Sequence, residues 1–226
     1  MHQWQRPETA AAWEASGGAG LPTRAAQQEL LLSLLGESRV GDGAVLDAGV
    51  GSGLVAEAVL ETLPRAELVG VDFSPPMLDL ARDRLRRFGS RARLFSGDLS
   101  RPEEIGLPRA RYKAAFSIQT LHHLDDNEKA AAFTWLGELV DPGGLVVVID
   151  RVRVEEALFG DWQTAWRRVA PAESGTYADH VARLAEAGDH PASLEDQLEW
   201  MKEAGLAACC LHLYGNRAVL VGRKAT

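Results

Sequence analysis

The sequence predicts an α/β fold in a single domain: a mainly parallel sheet, helices on both faces, and an antiparallel pair of strands at its end. Three observations carry this. Short apolar runs alternate with helical segments between residues 44 and 150, which is the spacing of βαβ units. A glycine-rich turn, Gly49-Val50-Gly51-Ser52-Gly53, follows the first of those runs. Two β-rich stretches, residues 209–214 and 217–223, flank Gly215-Asn216, a hairpin signal.

Each element follows from its residues. Residues 1–20 carry Trp4 and Trp13 and end in Ser16-Gly17-Gly18-Ala19-Gly20. A helix comes next, with Thr23 as its expected N-cap and Leu30, Leu31, Leu34 and Leu35 as its apolar stripe. Strands are expected at 44–48, 68–71, 93–96, 114–118 and 145–149. Helices are expected at 54–63 and at 75–88, the latter capped by Ser74 and stopped by Gly89. Another helix starts near Asp126 and ends before Asp141-Pro142-Gly143-Gly144. Leu145-Val146-Val147-Val148-Ile149 has no polar alternate face, as a central buried strand requires. Residues 153–190 read as helices rich in Phe159, Trp162, Trp166, Tyr177 and His180, and Ser193 opens a last helix that ends at Gly205. The chain thus divides into N-terminal helices (1–40), a core (41–152), a helical insertion (153–192) and the last helix with its strand pair (193–226).

With 226 residues, 46% hydrophobic and 25% charged, the chain is ordinary globular protein. Its net charge of −8 repels a phosphate backbone, so nucleic acid is not expected as a partner. No apolar run reaches the roughly 18 residues of a membrane span. Adjacent Cys209 and Cys210 point to opposite faces of a strand and do not bridge, and the chain has no secretory signal. Both features predict a cytoplasmic protein.

The chemistry concentrates at the ends of the first three strands. Glycines at 49, 51 and 53 let the backbone turn tightly and let a ligand approach where a Cβ would clash. Asp72 ends the second strand, where an acid can bind ribose hydroxyls. Asp98 follows the third as Gly97-Asp98-Leu99, where a carboxylate can accept an adenine amino proton. The glycine spacing is G-x-G-x-G, not the G-x-G-x-x-G of dinucleotide sites, and Asp47 stands two residues before the first glycine. A carboxylate there repels a pyrophosphate and suits a ligand with an ammonium group. S-adenosylmethionine, which has adenosine, no phosphate, a sulfonium and an α-amino group, is therefore the expected cofactor, ahead of NAD.

These runs resemble the class I, Rossmann-like S-adenosylmethionine-dependent methyltransferases. Val45 to Gly53 resembles their first motif, Gly70 to Leu78 the second, and Ser96-Gly97-Asp98-Leu99 the third. Phe116 to Leu124 resembles the strand and loop beside the transferred methyl, and Pro142-Gly143-Gly144-Leu145 the turn before the fifth strand. The resemblance implies a seven-stranded sheet in the order 3-2-1-4-5-7-6, with strand 7 antiparallel. It also implies that Asp47, Gly49 and Gly51 line the methionine part and that Asp72 holds the ribose. Phe73 and Met77 would flank adenine, Asp98 and Leu99 would meet its edge, and Gln119 would lie near the amino acid end.

The acceptor side is less determined. His123, or else His122, stands where a base would take a proton from an acceptor hydroxyl; the alternative is a structural loop whose histidines bond backbone groups. Neighbouring histidines diverge and no third ligand has suitable spacing, so no metal is expected. The family's Asn/Asp-Pro-Pro-Tyr signature is absent, Ser117-Ile118-Gln119-Thr120 standing in its place. A small-molecule acceptor is expected, methylated on oxygen in preference to carbon or nitrogen. The insertion's aromatics either wall an acceptor pocket or hold the insertion on the sheet, and Trp4 and Trp13 belong to a lid or to a permanently docked helix. Two other functions remain open: transfer of a different group from the same cofactor or modification of it, and a non-catalytic cofactor-binding module.

Overall fold

The computed structural model describes residues 3–15, 22–37, 43–108, 111–167 and 175–226. The glycine-rich run 16–20 lies outside them. Seven strands form one sheet in the order β3-β2-β1-β4-β5-β7-β6. They are β1 (Ala44–Ala48), β2 (Glu67–Asp72), β3 (Ala92–Ser96), β4 (Tyr112–Ile118), β5 (Val140–Arg151), β6 (Leu206–Tyr214) and β7 (Arg217–Lys224). The first five pair in parallel, and β7 runs antiparallel to both β5 and β6. Fold class and strand order are therefore as the sequence and its resemblance predict.

Eight helices flank the sheet among the described residues: α1 (Pro7–Ala15), α2 (Pro22–Glu37), α3 (Leu54–Thr62), α4 (Pro75–Leu85), α5 (Asp126–Leu139), α6 (Phe159–Trp166), α7 (Tyr177–Ala187) and α8 (Leu194–Glu203). Alternate strand residues feed two cores, as the period-2 pleat requires. Val45, Leu68, Phe116 and Val147 pack with Leu31, Leu35, Val59 and Leu78 on the face of α2, α3 and α4. Leu46, Val69, Ala115 and Val146 pack with Phe133, Leu136 and Met201 on the face of α5 and α8.

Several boundaries differ from expectation for local reasons. α2 begins at Pro22, so Thr23 is inside the helix and not its cap; proline's fixed φ suits a first helical position. α4 ends at Leu85 and passes into a 3-10 turn over Arg86–Arg91, in which Gly89 leaves helical geometry with φ 57°. Ser74 caps α4 as expected, its hydroxyl accepting from the Met77 N–H. Asp125 and Glu128 add a capping box at the start of α5, which fixes the loop between β4 and that helix.

Candidate active site

At the carboxyl end of β1 the chain turns through Gly49 at φ 89° and Gly51 at φ 54° before entering α3. A Cβ on Gly49 would come within 2.3 Å of the Thr120 side chain, so only glycine lets the two loops close. The turn is tied to β2 by bonds from the Gly49 and Val50 N–H groups to the Val71 carbonyl, at 2.8 and 2.9 Å. Asp72 then accepts the Gly51 N–H on one carboxylate oxygen and the Ser74 N–H on the other, both at 2.9 Å. Burial pushes the Asp72 carboxyl up, against the pull of those N–H groups.

Asp47 is 2% exposed, and no described residue donates a hydrogen bond to its carboxylate. Burial, and then the Asp72 charge, push its carboxyl well above the ordinary range. A buried acid without a donor on a cavity wall is a site built for a cation. Asp98 is exposed and accepts the Ser100 N–H at 3.0 Å, while Leu99 beside it is buried. Phe73 and buried Met77 line the cavity with these acids. The cavity they enclose measures about 560 Å³, and Asp47, Gly49, Gly51, Asp72, Phe73, Met77, Asp98 and Leu99 all line it.

Gln119, His122 and His123 line its other side. Gln119 has φ 52°, the one positive φ at a non-glycine among the described residues. Such strain at a strand end over a cavity is characteristic of a functional position. His122 is buried and pinned: its Nδ1–H donates to Asp150 at 2.5 Å, and its backbone N–H donates to the other Asp150 oxygen at 3.1 Å. Burial pushes the His122 imidazole below its usual value, against the pull of Asp150. Burial also raises the Asp150 carboxyl, but the charge and hydrogen bond of His122 outweigh it and hold that carboxyl at about 2. His123, half-buried above, accepts the Trp4 indole N–H on Nε2 at 3.0 Å and turns Nδ1 to Asp189 Oδ1 at 3.1 Å. Arg151 pairs with the other Asp189 oxygen. His123 Nδ1 also meets the Gly188 carbonyl at 3.2 Å, so the histidines engage carboxylates and an indole and, in part as the structural alternative expects, the backbone.

The two imidazoles do not diverge, which corrects the reason for expecting no metal. Their centroids lie 4.1 Å apart, and with Asp189 they offer three ligand atoms within 4.8 Å of one another. The hydrogen-bond pattern still favours proton chemistry there. Accepting the Trp4 N–H on Nε2 leaves the His123 proton on Nδ1, between the Gly188 carbonyl at 3.2 Å and Asp189, and Arg151 already pairs with that acid.

The insertion's aromatics follow the second alternative and hold the insertion on the sheet. Phe159, Trp162, Trp166, Tyr177 and His180 pack on one another, and Trp166 packs on Tyr214. None of them lines the cavity; Ala187 and Asp189, at the end of α7, do. Sequence reasoning missed Asp150, Arg151 and Asp189. Asp150 carried a readable signal, an acid ending an apolar strand like Asp47 and Asp72. Asp189 carried none.

Residues 45–144 match a family described as a methyltransferase domain. A demethylmenaquinone methyltransferase of Thermus thermophilus is 33% identical over 131 residues, 56% of this chain and 56% of that protein. The structure of an O-methyltransferase family protein from Burkholderia thailandensis superposes with a TM-score of 0.72 at 20% identity, covering 96% of this chain and 60% of the other. A magnesium protoporphyrin IX methyltransferase from Synechocystis, solved with bound SAH, gives 0.62 at 14% identity over 88% and 82% of the two chains. The aligned stretches span between 21% and 56% of three curated relatives' own lengths.

Proposed function

We propose that this chain is a class I, Rossmann-like S-adenosylmethionine-dependent methyltransferase, as the match of residues 45–144 to a methyltransferase domain supports, and that it methylates a small-molecule acceptor, on oxygen in preference to carbon or nitrogen. The observation that carries the reading is the convergence of three strand-end acids, Asp47, Asp72 and Asp98, on one cavity. Its volume falls within the roughly 300–1,000 Å³ of small-molecule sites. The donor set fits the cofactor. Asp47, buried and without a donor, opposes an α-ammonium, and Gly49 and Gly51 admit the methionine chain beside it. Asp72 is held rigid by two N–H groups and has lone pairs left for ribose hydroxyls. Phe73 and Met77 flank adenine, Asp98 and the Leu99 backbone meet its edge, and Gln119 sits at the amino acid end. When bound, S-adenosylmethionine supplies a methyl group on a positively charged sulfur, open to in-line displacement.

On the acceptor side His123 is the base. An acceptor hydroxyl that takes the place of the Trp4 indole places its proton on His123 Nε2. Asp189, at Nδ1, holds the ring in that orientation and stabilises the imidazolium. His122 is a positioning residue, locked between Asp150 and Asp189. The names of two similar proteins, an O-methyltransferase family protein and a demethylmenaquinone methyltransferase, support a small acceptor.

The test is transfer of tritiated methyl from labelled cofactor into a metabolite extract. Label is expected in a small molecule. His123→Ala should keep cofactor affinity and lower transfer about 10²–10⁴-fold. Consumption of cofactor with the labelled methyl left in its by-product would show transfer of another group. Tight binding with no consumption would show a binding module.

A further inference from the structure

Half-buried Trp4 lines the same cavity as the cofactor residues, and its indole gives the N–H to His123 Nε2 at 3.0 Å. In the methyl-transfer reading that nitrogen takes the acceptor's proton. One of the chain's own side chains therefore sits where the acceptor hydroxyl has to arrive. The ring is seated much as a ligand would be. Trp13 meets it edge-on, with centroids 5.6 Å apart and planes at 87°, and the His123 ring is tilted against it at 5.9 Å and 58°. Edge-on and tilted contacts are favoured arrangements of aromatic pairs. Buried Leu124 and half-buried Ala187 also line the cavity.

These contacts limit what can replace the indole. A newcomer without an aromatic ring loses the contacts to Trp13 and His123, and one without an O–H or N–H leaves Nε2 unpaired. Asp189 faces His123 Nδ1, and Arg151 is already paired with that acid, so it holds no charge in reserve for an anionic acceptor. An anion beside Asp189 would instead be repelled. Displacement needs only rotation of the Trp4 side chain. Ser74 donates to the Trp4 carbonyl at 2.5 Å, and Gln3 donates to the Ala187 carbonyl at 2.6 Å, so the backbone of the turn Gln3–Gln5 stays anchored while the ring leaves. Resting on the methyl-transfer reading, we propose that Trp4 is a built-in occupant of the acceptor's seat, and that the acceptors are uncharged aromatic hydroxyl compounds that displace it. The acceptor's ring takes over the contact to Trp13, and its hydroxyl takes over the bond to His123. Such an occupant keeps Nε2 paired in the absence of acceptor. It also lowers apparent acceptor affinity by the fraction of time the seat stands open.

The experiment titrates β-naphthol, decahydro-β-naphthol and naphthalene into protein saturated with S-adenosylhomocysteine. The second probe keeps the skeleton and hydroxyl without the aromatic rings, and the third keeps the rings without the hydroxyl. β-Naphthol is expected to bind at least about tenfold more tightly than either. It should also move the indole N–H resonance of Trp4 in an NMR spectrum, assigned by its absence from Trp4→Phe. That variant, checked by thermal melting, keeps a ring but cannot donate to His123. It should bind β-naphthol about three- to tenfold more tightly than the unaltered chain, and the gain should vanish in a His123→Ala background. Equal binding of β-naphthol and its hydrogenated analogue overturns the aromatic class. β-Naphthol bound with the Trp4 resonance unmoved, or bound more weakly by Trp4→Phe, overturns the displacement and makes Trp4 a fixed wall. If S-adenosylhomocysteine does not bind at all, the failure lies with the methyl-transfer reading. The same titration on protein alone then still decides whether an aromatic hydroxyl displaces Trp4.

Discussion

Asp47 and Asp150 end strands separated only by β4, yet burial leaves them with opposite consequences. The Asp47 carboxyl is raised when the site has no cation. Its protonated form is therefore favoured by folding, and that contribution is full below the ordinary value of 3.8 and is lost as pH rises through the folded value. At neutral pH the ionised group costs stability. Asp47→Asn should thus raise the melting temperature of the free protein at pH 7, because an amide carries no charge to bury. The same change should weaken S-adenosylmethionine binding about tenfold or more, since the ammonium loses its charged acceptor. Calorimetry and melting on one sample separate the two effects; a variant that melts lower and binds normally would make Asp47 a structural acid. Asp150 has the reverse sign, with a folded value of about 2 against 3.8. Its contribution is present above the ordinary carboxylate value and fades as pH falls toward the folded one. Asp150→Asn should cost on the order of 2 kcal/mol at pH 7, with the deficit shrinking on acidification. A deficit that stays constant with pH would mean that the loss is one of packing. Asp47 was legible in sequence because its glycines follow it immediately. Asp150 showed only its place at a strand end; its role was hidden, because its partner His122 lies 28 residues upstream and meets it only through the β4–β5 pairing.

At the level of elements, the short N-terminal segment behaves as a strap across the site. The 3-10 turn Gln3–Gln5 is fixed at three points: Gln3 donates to the Ala187 carbonyl at 2.6 Å, Ser74 donates to the Trp4 carbonyl at 2.5 Å, and the Trp4 indole donates to His123. Trp13 meets Trp4 edge-on at 5.6 Å, and Glu14 pairs with Arg84 of α4. Cofactor placed against Asp72 and Asp98 lies beneath this strap. Trp4→Ala should therefore speed dissociation of S-adenosylhomocysteine about tenfold with little change in association, since such variants act mainly on the off-rate. Stopped-flow fluorescence reads both rates, and an unchanged dissociation rate would make the strap passive architecture. The tryptophans were visible in sequence, but their partners were not. A helix's apolar residues announce that it docks, never against what. The same blindness applied to the insertion, where five aromatics drew notice and the contribution to the cavity came from Ala187 and Asp189.

Across the whole molecule, the legible half and the hidden half divide along β4. On the β1–β3 side each site residue ends or follows its own strand, so a local pattern of strand, glycine and acid reveals it. Toward β5 the wall is assembled from the loop after β4, the end of β5, the end of α7, and Trp4, 119 residues from His123 in sequence. Such a wall is readable only once the sheet order brings its parts together. That assembly has a thermodynamic consequence. A ligand touching the ends of β1 and β2, the β4 loop and the strap stabilises the folded chain as a whole, by about 2.7 kcal/mol at a hundredfold excess over Kd. For a domain of this size that corresponds to a rise in melting temperature of roughly 5–11 °C. S-adenosylmethionine and S-adenosylhomocysteine should both produce it. NAD should not, because its pyrophosphate would face Asp47. Asp72→Ala should abolish most of the shift at the same ligand concentration, since it removes the proposed acceptor for the ribose hydroxyls and releases the Gly51 and Ser74 N–H groups. A shift of equal size with NAD would show that the glycine turn serves a dinucleotide after all. A full shift in Asp72→Ala would place the cofactor elsewhere than on the three strand-end acids.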